Sequence, residues 1–584
     1  MNKYIIFLTI AMVFVGCEDL LDPIDDNHQT LQDIYEDPAI AEGILMNAYT
    51  RLPTNGYSFN EVATDDAVTN DKFNGYLRMA TGQWSSINNP VDQWENSYTA
   101  IMYLNLFLAK TDSVDWSYRS DTARILFNER HKGEAYGLRA LFLLNLLQVH
   151  GGYSSGGQLL GVPIITEVLE AGSDFSMPRN TFDECIQQIY NDLDEALKYL
   201  PFDYRDLEVE EASELPSMYS SYTVEEYNRV FGDVNRQRIS GRVVQAIRAK
   251  TALLAASPAF SDGSATKWEL AAGYAADVLD EIDGISGLDP DGATFYTAAS
   301  FGTINLAFDR DVEEMLWRGS KEGSPGSLNL EQNNFPPSLY GNGRVNPTQN
   351  LVDAFPMANG YPITDAASGY DESNPYANRD PSLNNYIVVN GSTLAGATIY
   401  TSTNSGDDAV DYLKTSTRTG YYLRKLLRQD VNLNPSSQQA KQHFFPRIRY
   451  TEIFLIYAEA ANEAWGPDGT GTHGYSAREV IAAIRERAGI TQPDAYLGSI
   501  SSKEDMRALI HNERRLELCF EGFRFWDLRR WREDLNETAY GVRITDNSYV
   551  VQPVETRQYQ DYMYYGPIPY NEVLKADLVQ NNGW

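Results

Sequence analysis

Gly152-Tyr-Ser154-Ser-Gly156 has the spacing of a nucleophile elbow, which needs a strand before the serine and a helix after it. Here a long helical pattern precedes the run and a Gly/Ser-rich stretch surrounds it, so Ser154 is read as a loop residue rather than a nucleophile. Asp289-Pro-Asp291-Gly292 has the flavour of a calcium loop, yet Gly287 stands at the first ligand position and Ala298 replaces the closing glutamate, which excludes an EF-hand. The 6 histidines show no metal-ligand spacing, and there is neither a phosphate loop nor a dinucleotide fingerprint. With 81 acidic residues, pairs of carboxyls at a glycosidase-like separation arise by chance. Asp65-Asp66 is therefore read as turn and cap residues. These residue types in these contexts assign no catalytic residue, no metal site and no cofactor.

Binding chemistry is better represented. The chain carries 38 Tyr, 9 Trp and 23 Phe, and so many amphipathic rings suggest a surface that holds a ligand. A formal charge of −34 repels phosphate backbones, and no basic patch offsets it, which argues against nucleic acid. Residues 1–16 have a short polar start with Lys3 and then an apolar run from Ile5 to Val15, which has the length of a signal-peptide core and falls short of a membrane span. Gly16-Cys17 resembles a bacterial lipobox, with Phe14 where Leu or Val is usual, so Cys17 is expected to be acylated and to anchor the chain. Cys185 and Cys519 lie in apolar-periodic stretches and are read as buried small hydrophobes.

The elements that must position a binding surface are mainly helical. Asp37-Pro38 and Asn89-Pro90 each read as a cap followed by a first-turn proline, and a long helix is expected over about 121–150. Thr181 and Glu184 make a capping box ahead of Phe182, Ile186, Ile189, Leu193 and Leu197, spaced for one helix face. Further helical patterns cover about 240–257, 264–282, 447–465, 476–489 and 503–519, with a second box at Ser476 and Glu479. Between about 283 and 446 this periodicity gives way to Gly, Pro, Asn and Tyr with short strand-like runs such as Tyr386–Asn390. The pattern predicts stacked helical hairpins carrying a large irregular insert, although no fixed 34-residue repeat is visible.

The densest motif runs from His511 to Trp531. Glu513/Glu517 and Arg514/Arg515 have helical spacing for salt-bridged faces, Gly522 breaks the helix, and Phe523, Phe525, Trp526 and Trp531 supply an apolar anchor, with Arg524 and Asp527 satisfying each other or local backbone groups. Glu513-Arg-Arg-Leu-Glu-Leu-Cys-Phe-Glu-Gly-Phe-Arg-Phe-Trp-Asp-Leu-Arg-Arg-Trp531 resembles the C-terminal signature of the SusD/RagB family of nutrient-uptake lipoproteins. Gly133-Glu-Ala-Tyr-Gly-Leu-Arg-Ala140, Gly161-Val-Pro163, Pro178-Arg-Asn-Thr181, Ala256-Ser-Pro-Ala-Phe260, Ile484-Arg-Glu-Arg-Ala488 and Pro567-Ile-Pro569 follow that family's order.

The resemblance implies a mainly α fold of tetratricopeptide-type helix pairs against an irregular, loop-rich portion. Length alone allows about four domains, whereas the resemblance implies one, over 17–584, with its helical scaffold at about 37–282 and 447–532. It further implies a non-enzymatic, outer-membrane lipoprotein that binds oligosaccharide and caps a SusC-like TonB-dependent transporter. Relatives that capture peptides supply one alternative, and a secreted glycoside hydrolase supplies another. Sugar rings suit aromatic platforms flanked by hydrogen-bonding side chains, and the loop from Asn70 to Asn89 has that make-up. Trp84 is expected as the platform, with Tyr76 and Arg78 beside it and Tyr340 reaching in from the insert, while Trp268 and Trp317 are expected in the core.

Overall fold

The computed structural model describes residues 37–584 apart from 54–55, 171, 174–175, 305–310 and 547; the expected leader and Cys17 lie outside the described residues. Among these, eleven helices of eight residues or more form the framework: α1 (Pro38–Tyr49), α2 (Trp94–Lys110), α3 (Asp121–His150), α4 (Phe182–Leu197), α5 (Val224–Phe231), α6 (Gly241–Ala256), α7 (Ala265–Leu279), α8 (Tyr450–Trp465), α9 (Ala477–Ala488), α10 (Lys503–Glu517) and α11 (Arg524–Trp531). Their starts follow local capping chemistry. The Asp37 side chain accepts from Ala39 N ahead of Pro38, and complete capping boxes open α4, α5 and α9. Asn89-Pro90 behaves differently from expectation. Asn89 Oδ1 accepts from Val91 N and from the Trp84 indole, so this segment is a turn, and α2 begins only at Trp94 behind an Asp92 side-chain bond.

Successive helices pack side by side: α1 on α2, α2 on α3, α3 on α4, α4 on α6, α6 on α7 and α7 on α8, with α8 then covered by α9 and α10. Each apolar face is buried on the next hairpin, as in stacked helical repeats. The close approach of α3 to its neighbours requires glycine. A Cβ on Gly133 would lie 2.5 Å from Leu200 Cγ, and one on Gly137 would lie 2.8 Å from Ile239 Cδ1. No helix among the described residues is long and apolar enough to cross a membrane.

Helices α7 and α8 are neighbours in space although about 170 residues separate them in sequence, so the irregular middle is looped out between two packed helices. That middle is tied back by short antiparallel pairs. Taking β1 (Ala67–Thr69), β2 (Met315–Arg318), β3 (Val345–Pro347), β4 (Pro446–Arg449), β5 (Ala539–Thr545) and β6 (Ser548–Glu555), β1 pairs with β3, β2 with β4 and β5 with β6. The helix expected from about 447 starts only at Tyr450, because pairing with β2 keeps 446–449 extended. The strand-like run near Tyr386 is the two-residue strand Ile387–Val388 against Tyr422–Leu423.

The C-terminal signature departs from its expected local pairing. Its charges are buried and reach across the fold. Glu513 pairs with Arg485 at 2.5 Å and Glu517 with Arg487 at 2.8 Å. Arg514 pairs with Asp527 at 2.8 Å, and Arg515 with Asp65 at 2.7 Å. Arg524 turns to Asp65 instead of Asp527, while Asp527 also holds Arg530. Asp65 and Asp66 are thus buried ion-pair partners of the signature rather than turn and cap residues. A helix exposed on one side would satisfy such charges at three- and four-residue spacing; enclosed on all sides, they must find partners on whatever element covers them.

Burial alone would raise the Glu459 carboxyl, but two bonds from Arg530, at 2.6 and 2.7 Å, lower it to about 2. Glu459→Ala strips Arg530 of that partner and should cost about 3–5 kcal/mol, read as a shift in the guanidinium unfolding midpoint. Its ionic contribution is present above a carboxyl's ordinary value and is lost as pH falls towards 2. His443 shows the opposite sign. Its Nδ1 lies 3.1 Å from Glu322 Oε2 and its Nε2 lies 3.1 Å from Glu331 Oε1, and only the cation can donate to both. Burial disfavours that charge, yet Glu331 and Glu322 outweigh it and raise the imidazole above its usual value. This clasp should be fully formed below pH about 6.5 and weaken as pH rises through the raised value. Unfolding midpoints between pH 5.5 and 9 should therefore show a decline that His443→Gln flattens.

Candidate functional site

Three loops far apart in sequence meet at one amide. The Asn70 side-chain nitrogen donates to the carbonyls of Asn342 at 3.0 Å, Gly343 at 2.8 Å and Ser416 at 3.3 Å, and Arg344 Nη1 donates to Asn70 Oδ1 at 3.2 Å. Loop 70–78, loop 336–344 and loop 407–418 are thereby joined just beyond the β1–β3 pair. Two further ties hold the cluster. Asp408 accepts from the backbone and hydroxyl of Ser338, and Asn346 Oδ1 accepts from Arg418 N at 3.1 Å. Arg418 in turn donates to Thr69 O at 2.8 Å and to Glu555 Oε2 at 2.7 Å, which fixes the face to β1 and β6.

This junction presents aromatic rings to solvent. Phe73 is 81% exposed, Tyr412 61% and Tyr340 55%. Tyr340 sits at φ 65° directly after a 3-10 turn over Pro337–Leu339, a left-handed position that turns the chain back towards Gly341. Asn74 Oδ1 caps the short helix Gly75–Arg78, whose last residue places its guanidinium 5.6 Å from the Phe73 ring centroid. Rings next to guanidinium, amide and carboxylate groups on immobilised loops suit a ligand with apolar faces and hydroxyl edges.

The expected residues fare unevenly. Tyr340 and Arg78 lie on the joined loops. Tyr76 is half-buried between two apolar clusters, and burial raises its phenol. Trp84 is only 5% exposed and cannot serve as a platform in this structure. Its indole donates to Asn89 Oδ1 at 3.0 Å and packs edge-on against Trp584, Phe525 and Tyr559. Trp84, Phe525 and Tyr559 surround the buried Arg529, whose guanidinium carbon lies 3.5 Å from the Phe525 centroid, 5.0 Å from Tyr559 and 5.1 Å from Trp84. Burial lowers the Arg529 guanidinium to about 10, opposed by Tyr559; Nη1 donates to Phe525 O at 3.0 Å, and the surrounding π-faces add to its stabilisation. Trp84 is thus a wall of an internal cation box. Trp268 and Trp317 are buried as expected, and so are Cys185 and Cys519. Sequence reasoning missed Phe73, Tyr412 and the amide that joins their loops. The available signal was Asn70-Asp-Lys-Phe73-Asn-Gly75, in which one ring stands in a polar turn with no periodic apolar partner.

Acid–base chemistry has little support at two strongly raised carboxyls. Burial pushes Glu61 and Asp380 up to about 7, but Glu61 accepts from Gly522 N at 2.6 Å and Asp380 caps the short helix Pro381–Tyr386. Both are buried inside the fold, where no substrate reaches. Ser154 is buried, and its hydroxyl accepts from Gln158 N at 3.3 Å within a tight turn. Asp289 spends both oxygens on the backbone of Asp291 and Glu314, which accounts for the calcium-loop spacing. Among the described residues no group of three or more His, Cys, Asp and Glu side chains is placed to hold a metal ion.

Comparison with known proteins accords with this architecture. Residues 313–584 match the profile of the SusD family, and residues 19–216 match a profile described as "Starch-binding associating with outer membrane". SusD-like protein P38 of Formosa agariphila is 24% identical over 560 residues, covering 91% of each chain. A SusD-like protein from Bacteroides fragilis superposes with a TM-score of 0.72 at 23% identity, covering 96% of this chain and 100% of that one. A laminarin-binding SusD-like protein superposes with a TM-score of 0.58 at 20% identity, covering 94% and 99%. With two profiles of one family matching both ends of the sequence in order, and the same mainly α fold along nearly its whole length, the chain belongs to the SusD/RagB family.

Proposed function

We propose that the protein is a surface-exposed outer-membrane lipoprotein that captures oligo- or polysaccharide on the face built by loops 70–78, 336–344 and 407–418. It passes that cargo, chemically unchanged, to a SusC-like TonB-dependent transporter. The observation that carries this reading is the solvent exposure of Phe73, Tyr340 and Tyr412 on loops cross-linked through Asn70. Rings held on ordered loops are pre-organised, so little side-chain entropy is lost when a sugar stacks on them. Family membership, the wording of the matched profile and the printed ligand of the laminarin-binding neighbour support a glycan as the cargo. Arg78 and Arg344 are placed to donate to hydroxyls beside the rings, and Asn70 serves as the positioning residue.

Two experiments test this reading. In native gels cast with a panel of polysaccharides that includes laminarin, the wild-type protein should be retarded by at least one polymer. Tyr340→Ala/Tyr412→Ala should weaken that binding about tenfold or more, which corresponds to about 1.4 kcal/mol, while the retarding polymer releases no reducing ends. Retardation unchanged in the double variant would reject the face, and reducing-end release would reject the non-catalytic role. Cys17→Ala in the full-length precursor should move the protein from the outer-membrane fraction to the soluble one; retention in the membrane would reject the lipid anchor.

A further inference from the structure

The chain as a whole repels anions, with a formal charge of −34, but the face built by loops 70–78, 336–344 and 407–418 does not share that bias. Its cations are Lys72, Arg78, Arg344, Lys414 and Arg418, and its carboxylates are Asp71, Asp407, Asp408 and Asp411. Arg418 and the buried Arg557 share one carboxylate, Glu555, and Asp411 meets Arg543 at 3.2 Å. Counted with these partners, the face holds seven cations and five carboxylates. No basic run is visible in the sequence because the fold gathers these charges from separate loops.

The two signs also differ in how far they are committed. Lys72, Arg78, Arg344 and Lys414 form no ion pair among the described residues. Both lysines are exposed, and a tight turn places each of them. Asn74 N donates to Asp71 O at 3.1 Å across Lys72, and Ser416 N donates to Leu413 O at 3.2 Å across Lys414. Arg344 gives Nη1 to the Asn70 amide oxygen, and Arg78 lies beside the exposed Phe73 ring. Most of the carboxylates are turned to the protein. Asp408 is buried against Ser338, Asp71 accepts from Phe73 N at 3.0 Å, and Asp411 has Arg543. That leaves Asp407 exposed and, among the described residues, without such a partner. At physiological ionic strength charges are screened over about 8 Å, so a ligand on this face meets the local set rather than the distant carboxylates.

We infer that the cargo of this face is an acidic polysaccharide, one whose sugar rings carry carboxylate or sulfate groups. The inference rests on the loop-face reading and narrows it to a class of polymer. Acidic groups project from the edge of a sugar ring, so stacking on Phe73, Tyr340 or Tyr412 leaves them free to meet the cations beside those rings. Lys72 and Lys414 serve either group as exposed point charges, and the planar forks of Arg78 and Arg344 suit the paired oxygens that both groups present.

Affinity gels with matched polymers test this: polygalacturonate against its methyl ester for the carboxylate, and κ-carrageenan against its desulfated form for the sulfate. At least one acidic polymer should bind the full mature chain about fivefold or more tightly than its neutral counterpart, and added sodium chloride should weaken that binding. The pair that shows the difference identifies the acidic group. Lys72→Gln/Lys414→Gln, which changes two exposed side chains, should weaken binding of that polymer about fivefold. Equal binding of each acidic polymer and its neutral partner would overturn the inference, and so would binding indifferent to both lysines. Single-stranded DNA retarded with the same lysine dependence, while no acidic polysaccharide is retarded, would overturn it too. Laminarin retarded through Tyr340 and Tyr412, with neither acidic polymer held, would leave the loop-face reading standing while this inference falls. Retardation by no polymer at all would remove both.

Discussion

Buried charges that must be paired across the fold are the constraint on which the rest of this structure depends. Arg449 meets Glu314 at 2.7 Å and Glu521 at 2.8 Å, joining both sides of the looped-out middle to the C-terminal signature. Lys425, within that middle, reaches the same Glu521 at 2.7 Å. Arg515 and Arg524 bind Asp65 and Asp66, which lie directly before β1. Replacing such pairs by apolar residues is often neutral for stability, but leaving one member alone is severely unfavourable. The network therefore acts mainly as a register device: early chain, insert and signature satisfy their charges together only in one arrangement. Loops that begin or end at these anchor points inherit their positions from it.

The aromatic content divides along the same line. Many rings are spent inside, and some of them serve buried or half-buried cations. Among the described residues no carboxylate pairs with Arg529, which sits among Phe525, Tyr559 and Trp84. Arg447 lies 4.7 Å from the Trp317 centroid, and burial lowers its guanidinium to about 10. A π-face costs less desolvation than a carboxylate and still attracts a cation. Rings left for solvent are few, and those at the loop junction are held by amide and hydroxyl bonds instead of by the core. The proposed capture of ligand on loops, with the helices as support, rests on that division.

Much of the scaffold was legible from residues alone. The capping box at Thr181 and Glu184, the apolar periodicity behind it and the loss of that periodicity after α7 all correspond to observed elements. Local signals of this kind need no knowledge of the rest of the chain. What could not be read was non-local. The Asn89-Pro90 turn is set by a Trp84 bond to Asn89, β4 is set by pairing with β2, and the charges of α10 find partners as far away as Asp65. The site suffered for the same reason: an indole in a polar loop looks like a platform until the C-terminal Phe525, Arg529 and Trp584 arrive to bury it. The exposure of Tyr340 has a local cause, since two prolines before it and Gly341 after it mark a turn that presents its side chain.

The central claim is that a bound polysaccharide is held on the three loops joined at Asn70. Hydroxyl-radical footprinting of the tyrosines, with and without a retained polysaccharide, tests it most directly. Protection should concentrate on Tyr340 and Tyr412, leaving Tyr118 and Tyr570, which are 71% and 48% exposed elsewhere on the surface, as reactive as before. Protection of Tyr118 or Tyr570 with Tyr340 and Tyr412 unchanged would contradict the account.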